Sequence, residues 1–266
     1  MHETHRDRKT RELPAAVDWQ AWLQRWDVQQ TGYLPHREAR FTAMLDVLES
    51  LLPEDFFALD LACGPGAISQ RLLTRFPNAR CIALDFDPIL LAMGQGALGT
   101  MGGRLRWVEA DLMQAEWLKQ VDGQPMHAVL STTALHWLST EHLTRVYRQL
   151  GQLVRPGGVV LNGDHLKFSP AMATFQSVAD AVKARNQEAA FVHRGLENWA
   201  QWWEAVAAEP AFQELLAERQ RRFAWQVADG HAPIYDLHEA ALRDAGFHQV
   251  GVIWQYMDNR VLMAVR

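Results

Sequence analysis

Residues 58–66 read A-L-D-L-A-C-G-P-G, an apolar run with one acidic residue that breaks directly into a glycine turn. The run from Phe56 to Leu61 is short and lies between Pro53 and the Gly64-Pro65-Gly66 turn, a pattern typical of a buried parallel strand. Apolar residues then recur at helical spacing, at Ile68, Leu72 and Leu73. A strand, a glycine turn and a helix N-terminus bring backbone N–H groups close to a ligand. The stretch therefore predicts a ligand-binding edge in an α/β protein.

The charge of this turn indicates which ligand it suits. A dinucleotide-binding fingerprint needs a third glycine three positions after Gly66, where this chain has Ser69. Asp60 would place a carboxylate next to a pyrophosphate, which requires N–H donors instead. S-adenosylmethionine carries an ammonium and a sulfonium but no phosphate, so an acidic residue beside the turn favours it.

At this point the chain resembles the class I S-adenosylmethionine-dependent methyltransferases, whose first motif is an acidic residue followed by a G-x-G-like turn. The resemblance covers roughly residues 51–158 and the last thirty or so. It implies a Rossmann-like, seven-stranded, mostly parallel sheet with helices on both faces. Four further apolar runs fit the expected strands: Cys81–Asp85, Leu105–Val108, Met126–Leu130 and Val159–Leu161.

The end of the chain predicts an antiparallel hairpin. Residues 240–247 read as the end of a helix with a glycine cap at Gly246. Two apolar runs follow, Val250–Trp254 and Val261–Val265, joined by a turn at Asp258-Asn259. The resemblance implies that this hairpin closes the sheet.

The resemblance also implies which residues bind the cofactor. Asp85 ends the second strand, and its carboxylate oxygens, which only accept hydrogen bonds, match both ribose hydroxyls. Asp111, in the segment Glu109–Leu112, matches the acid that accepts from the adenine amine. A tyrosine or arginine from residues 30–40 is expected to close over the methionine end. The cofactor residues predicted in this way are Tyr33, Arg40, Asp60, Ala62, Gly64, Gly66, Asp85, Phe86, Asp111, Leu112 and Thr132.

Residues 131–138 read S-T-T-A-L-H-W-L and are similar to the fourth motif of the small-molecule branch of the family. His136 is the candidate general base, because an imidazole takes up a proton near neutral pH. Asp164, just past the neighbouring fifth strand, is the candidate that orients it, and His165 could replace either residue. The alternative is that His136 packs in its loop and Asp164 is solvated. Trp137 is expected to fill the core behind the adenine.

Composition and charge exclude several classes of protein. The net charge is −5, without a basic run that would bind a polynucleotide, and the fourth motif lacks the Asn/Asp-Pro-Pro-aromatic sequence of many base and amide methyltransferases. No apolar run reaches the ~20 residues of a membrane span. The two cysteines have neither disulfide nor metal spacing. We expect a cytoplasmic monomer or homodimer with a small-molecule acceptor, no nucleic-acid or membrane partner and no metal.

The chain divides into four predicted parts. Residues 1–17 form a disordered tail, 18–52 two cap helices, 53–164 and 235–266 the cofactor-binding core, and 165–234 an inserted helical lid. Two alternatives stay open in the cap and the lid. Arg37 and Arg40 either reach the site or lie on a solvated face, and the tryptophans of the lid either pack its core or line an aromatic box.

The predicted function is therefore methyl transfer from S-adenosylmethionine to an oxygen, nitrogen or sulfur atom of a small molecule. The first alternative is a binding module that keeps the cofactor pocket without turnover. The second is a nucleotide-dependent oxidoreductase, which Asp60 and Ser69 disfavour.

Overall fold

A single seven-stranded sheet organises the described part of the chain. The computed structural model describes residues 13–14, 16–121, 124–224 and 234–266. The strands are β1 Phe57–Leu61, β2 Arg80–Asp85, β3 Leu105–Glu109, β4 Met126–Thr132, β5 Val154–His165, β6 Gln249–Tyr256 and β7 Asn259–Val265. Their order is β3-β2-β1-β4-β5-β7-β6, with β1 to β5 parallel and β7 antiparallel to both of its neighbours. This confirms the predicted Rossmann-like sheet and its closing hairpin.

Nine α-helices lie within the described residues. They are α1 Trp19–Tyr33, α2 Arg37–Leu51, α3 Ala67–Arg75, α4 Pro88–Leu98, α5 Thr140–Leu153, α6 Ala173–Gln187, α7 Trp199–Ala208, α8 Gln213–Phe223 and α9 Tyr235–Asp244. None of the helices in these ranges is long and apolar enough to cross a membrane.

Alternating side chains of the parallel strands bury both faces of the sheet. Leu59 and Leu61 of β1 belong to the core shared with α5 and α9, whereas Ala58 belongs to the core shared with α2 and α3. Such period-two alternation between two apolar layers is expected for a strand that is covered on both sides. The predicted helices on both faces are therefore confirmed.

The start of β5 and the position of the hairpin turn differ from the sequence prediction. β5 begins at Val154 rather than Val159 and includes the Pro156-Gly157-Gly158 segment, because an irregularity in its pairing with β4 accommodates the extra residues. The hairpin turn is Met257-Asp258, one residue earlier than expected. Met257 adopts a left-handed φ of 56°, and Asn259 is already paired in β7.

The helices inserted between β5 and α9 are of two kinds. Trp202 and Val206 of α7 are fully buried and pack with Trp22 and Trp26 of α1. Phe175 and Val178 of α6, and Met172 just before it, are instead exposed. Core packing thus accounts for Trp202 but not for the apolar spacing of α6.

The two ends of this inserted segment meet. Lys167 and Ile234 form an isolated parallel β-bridge, and the Tyr235 N–H donates to the Lys167 carbonyl at 3.0 Å. The segment therefore leaves and re-enters the core at one point. The predicted disordered tail lies largely outside the described residues, as does the end of the predicted lid at 225–233.

Gly151 brings α5 and α9 into close contact, and an alanine there is expected to destabilise the protein. A Cβ at Gly151 would lie 2.1 Å from the Ala245 carbonyl oxygen, which is backbone and cannot rotate away. We expect Gly151→Ala to lower the free energy of unfolding by about 1–3 kcal/mol in urea titrations. Gly251→Ala, whose Cβ meets nothing within 4 Å, is the control. Equal stability of the two variants would contradict this packing.

Candidate active site

A cavity of about 640 Å³ lies at the carboxyl ends of the parallel strands. The loops after β1 to β4 and the end of β5 line one part of it, and residues of several helices, among them α1, α6 and α8, line the rest. Ligands of open α/β sheets bind at this edge, because the loops that follow parallel strands converge there. The volume is in the range of small-ligand sites.

The glycine turn after β1 forms one wall of this cavity. Ala62, Gly64 and Gly66 all have a positive φ, of 54°, 54° and 85°, so the chain reverses sharply here. Ala62 and Gly64 line the cavity, as predicted for cofactor contacts. Gly66 is not part of the lining. It is the N-cap of α3, and a Cβ there would lie 2.7 Å from the Trp107 ring.

Asp60 lies beneath the turn and does not line the cavity. It is 1% exposed, and its Oδ2 accepts hydrogen bonds from the Ser69 N–H at 2.9 Å and the Ser69 Oγ at 2.7 Å. Burial raises the pKa of Asp60 to about 7. Ser69, which breaks the dinucleotide fingerprint, thus anchors the acidic residue of the motif. A direct contact between Asp60 and a ligand is not part of this geometry.

Asp85 connects the ends of β1 and β2 at the cavity wall. Its Oδ2 accepts from the Gly64 N–H at 2.7 Å, and its Oδ1 accepts from the N–H groups of Phe86 and Asp87 at 2.7 and 2.8 Å. Burial raises the pKa of Asp85 to about 6. Each carboxylate oxygen has further lone pairs, so Asp85 can accept from ligand hydroxyls while it holds the turn.

Phe86, Asp111 and Leu112 extend this wall past β2 and β3. The Asp111 Oδ1 accepts from the Met113 N–H at 2.8 Å, which fixes the carboxylate at the cavity wall. A hydrogen-bond acceptor and apolar side chains in one wall suit a flat ring with an exocyclic amine.

Arg40 is placed differently from the prediction. It is fully buried outside the cavity lining, and it donates to Asn259 Oδ1 at 3.0 Å and to the hydroxyls of Thr132 and Thr133. It therefore fixes the end of β4 against β7. The solvated-face alternative is also wrong, because Arg37 and Arg40 are 5% and 0% exposed.

Tyr33 and Thr132, which the sequence analysis expects to contact the cofactor, both line the cavity. The Tyr33 hydroxyl accepts from the Trp199 N–H at 2.9 Å, which ties the end of α1 to the start of α7. Arg37, which the sequence left open, also lines the cavity and is ion-paired with Asp27 at 2.8 Å.

His136 and Asp164 form a hydrogen-bonded pair. The His136 Nδ1 lies 2.8 Å from the Asp164 Oδ1, and the His136 N–H donates to Oδ2 at 3.2 Å. Asp164 is fully buried, so the alternative of a solvated Asp164 is wrong. A carboxylate only accepts, so Nδ1 carries the proton, and in the neutral ring Nε2 has a free lone pair. His136 lines the cavity and is about a quarter exposed.

The charges of this pair stabilise each other. Burial opposes a charged His136 ring, but Asp164 outweighs it, so the pKa of His136 is raised above its usual value. Burial likewise opposes ionisation of Asp164, yet His136 and His165 hold the pKa of that carboxyl well below its usual range.

His165 lines the same cavity, with its Nδ1 3.3 Å from the Asp258 Oδ1. Trp137 does not fill the core. It is 68% exposed at the cavity, because Leu135 takes the buried position of the short turn Leu135–Trp137. His238 is buried beside Tyr147, 2.6 Å from its hydroxyl, and is not part of the lining.

The sequence prediction missed the cavity residues contributed by α6 and α8. Lys183 and Gln187 come from α6, and Arg219 and Phe223 come from α8. The Arg219 Nε is 2.6 Å from the Asp87 Oδ2, and Arg222 contacts Glu109 at 2.7 Å, so α8 is tied to the ends of β2 and β3. The basic sequence Arg219–Arg222 opposite strand-end acids is the one signal that could have indicated this contact.

Comparisons with known proteins agree with this geometry. Residues 58–158 match the family model described as a methyltransferase domain. Trans-aconitate 2-methyltransferase of Streptomyces avermitilis is 33% identical over 153 residues, covering 56% of this chain and 51% of that protein. The protein of the same name from Azoarcus sp. is 32% identical over 136 residues, covering 51% and 49%. The match thus spans about half the length of these curated relatives.

Solved structures show the same fold. An O-methyltransferase family protein from Burkholderia thailandensis superposes with a TM-score of 0.56 at 17% identity, covering 91% of this chain and 59% of that one. DesVI of Streptomyces venezuelae gives a TM-score of 0.55 at 14% identity, covering 91% and 97%. Residues 58–158 are therefore similar to a methyltransferase domain, and the chain has the fold of these solved structures.

Proposed function

We propose that the protein transfers a methyl group from S-adenosylmethionine to an oxygen, nitrogen or sulfur atom of a small molecule. The observation that carries this proposal is the composition of the cavity wall. Asp85, Asp111 and the Gly64 turn line one side, and the His136 ring, held by buried Asp164, lines another.

The residues at the cavity wall fit the cofactor. In this proposal Asp85 accepts from the ribose hydroxyls, Asp111 accepts from the adenine amine, and the Gly64 turn meets the methionine end. Phe86 and Leu112 supply the apolar surface for the ring. Asp60 and Arg40 act behind this wall by holding the turn and the end of β4.

For methyl transfer the protein has to position the methyl donor and the acceptor and to take up one proton from the acceptor. S-adenosylmethionine, when bound, supplies a methyl group on a sulfonium, which is a good leaving group. The acceptor atom would bond the methyl carbon as the methyl–sulfur bond breaks with its electron pair on sulfur, and the His136 Nε2 would take the acceptor's proton. Asp164 then stabilises the charged imidazolium.

Calorimetry with S-adenosylmethionine and NAD, side by side, tests the cofactor assignment. We expect S-adenosylmethionine alone to bind, and binding of NAD alone would refute the proposal. Methyl transfer is then followed by mass spectrometry, with trans-aconitate as the first acceptor because the two named relatives act on it. Cofactor binding without turnover on a broad acceptor panel would instead support the inactive binding module.

The division of the chain is part of the same proposal. Residues 53–164 and 235–266 would bind the cofactor, and residues 18–52 and 165–234 would frame the acceptor. Tyr33 of α1, Lys183 of α6 and Arg219 of α8 support this division, because all three line the cavity.

The pH dependence of turnover tests the role of His136. Only the neutral ring accepts a proton, so with an acceptor whose nucleophilic atom carries a proton, kcat should rise as the pH increases through the raised pKa of His136. In Asp164→Asn the charge that raises this pKa is gone, and the acidic limb of the profile should move to lower pH. A kcat that falls with increasing pH would contradict a base at this position.

A further inference from the structure

The charged side chains that line the cavity differ between its two ends. Asp85 and Asp111 lie at the ends of β2 and β3, where the cofactor is proposed to bind. His136, His165 and Lys183 line the part formed by β4, β5 and α6. The second part therefore presents basic groups to a ligand.

The acids of this second part lie behind the basic groups. Asp164 pairs with His136 and is fully buried, and Asp258 pairs with His165 and is 5% exposed. Neither carboxylate belongs to the cavity lining. A ligand at this end would thus meet nitrogen atoms rather than carboxylates.

α6 directs a polar face towards the cavity. Lys183 and Gln187 are one helical turn apart, and both line it. Two large apolar residues of the same helix, Phe175 and Val178, are exposed and do not line the cavity. A helix that only covered a core would face it with its apolar side, so the orientation of α6 indicates a polar ligand.

Lys183 has no hydrogen-bond or ion-pair partner among the described residues, unlike the two arginines that line the cavity. Arg37 pairs with Asp27 at 2.8 Å and Arg219 pairs with Asp87 at 2.6 Å. Lys183 forms no hydrogen bond or ion pair with residues in the described ranges, although its charge acts on His136 and Asp258. A half-buried ammonium at a cavity wall is thus left for a ligand.

We propose that Lys183 and Gln187 bind a carboxylate of the methyl acceptor, at a position separate from the atom that is methylated. This inference rests on the proposed methyl transfer. The ammonium donates charge-assisted hydrogen bonds, and the amide N–H₂ of Gln187 donates beside it. The acceptor would therefore be an anionic small molecule that spans from α6 to His136.

The test measures acceptor binding to the protein saturated with S-adenosylhomocysteine, the demethylated cofactor, by calorimetry. The probes are acetate, succinate, trans-aconitate and the neutral trimethyl ester of trans-aconitate. The variants are Lys183→Ala, Lys183→Arg and, as control, Arg185→Ala, which removes an exposed cation from the same helix. All are compared at low and high salt.

We expect at least one carboxylate to bind and the ester to bind far more weakly. Lys183→Ala should weaken carboxylate binding by about 10- to 100-fold, the usual size of a hydrogen bond to a charged group. Lys183→Arg should retain part of the carboxylate affinity, and Arg185→Ala should leave that affinity unchanged.

Three results would overturn the inference while the proposed function stands: cofactor binding without binding of any carboxylate, equal binding of acid and ester, or unchanged carboxylate binding in Lys183→Ala. Failure of the wild-type protein to bind S-adenosylhomocysteine would instead refute the proposed function, and this inference with it.

Discussion

His136→Ala is expected to lower kcat by about 100-fold or more, the usual contribution of a positioned general base. The imidazole lines the cavity, and its Nδ1 is held by the Asp164 carboxylate, so Nε2 is the nitrogen that can take the acceptor's proton. Cofactor affinity should be nearly unchanged, because the residues assigned to the ribose and adenine are Asp85 and Asp111.

Steady-state kinetics and calorimetry on the same preparations separate these effects. His165→Ala is the discriminating variant, because His165 lines the same cavity with its own buried acid. His248→Ala removes an exposed imidazole outside the cavity and is the control. Full activity in His136→Ala together with a large loss in His165→Ala would make His165 the base.

Asp85→Ala is expected to weaken S-adenosylmethionine binding by about 2 kcal/mol or more, roughly 30-fold in Kd. Two hydroxyl acceptors are lost, and so are the contacts of the carboxylate with the N–H groups of Gly64, Phe86 and Asp87. The variant is therefore expected to lose the proposed contacts with the ribose hydroxyls and to loosen the glycine turn.

The pH dependence of binding provides an internal control. The pKa of Asp85 is raised to about 6, so the carboxylate becomes protonated as the pH falls through that value. The affinity of the wild-type protein for S-adenosylmethionine should therefore decrease as the pH falls below about 6. The affinity of Asp85→Ala should not change with pH in this range. A melting curve for each variant shows that it is folded. Unchanged affinity in folded Asp85→Ala would show that the ribose assignment is wrong.

Local patterns were enough to predict the individual strands, and the family resemblance then implied how they form one sheet. The strands that end at Leu61 and Asp85 are short apolar runs that are largely buried in the sheet. Turn residues follow each run directly, so the runs are easy to recognise in the sequence. The pairing of Asp164 with His136 was also within reach, because neighbouring parallel strands end side by side.

Burial and long-range contacts could not be predicted in this way. Arg40 looks like a surface residue of an amphipathic helix, and only its packing against β4 and β7 makes it fully buried. The sequence around Lys183 shows no motif, because its role depends on which face of α6 meets the cavity. Trp137 is exposed because its neighbour Leu135 occupies the core position.

The bridge between Lys167 and Ile234 makes the inserted segment exchangeable. The two ends of the segment already lie side by side, so a replacement of different length would still start and end at the same points. Each doubling of its length costs only about 0.6 kcal/mol in closure entropy. The glycine turn, Asp85 and Asp111 lie elsewhere in the chain. A segment grafted between residues 167 and 234 would thus leave the glycine turn, Asp85 and Asp111 in place, but it would have to replace the contacts of α8 with Asp87 and Glu109.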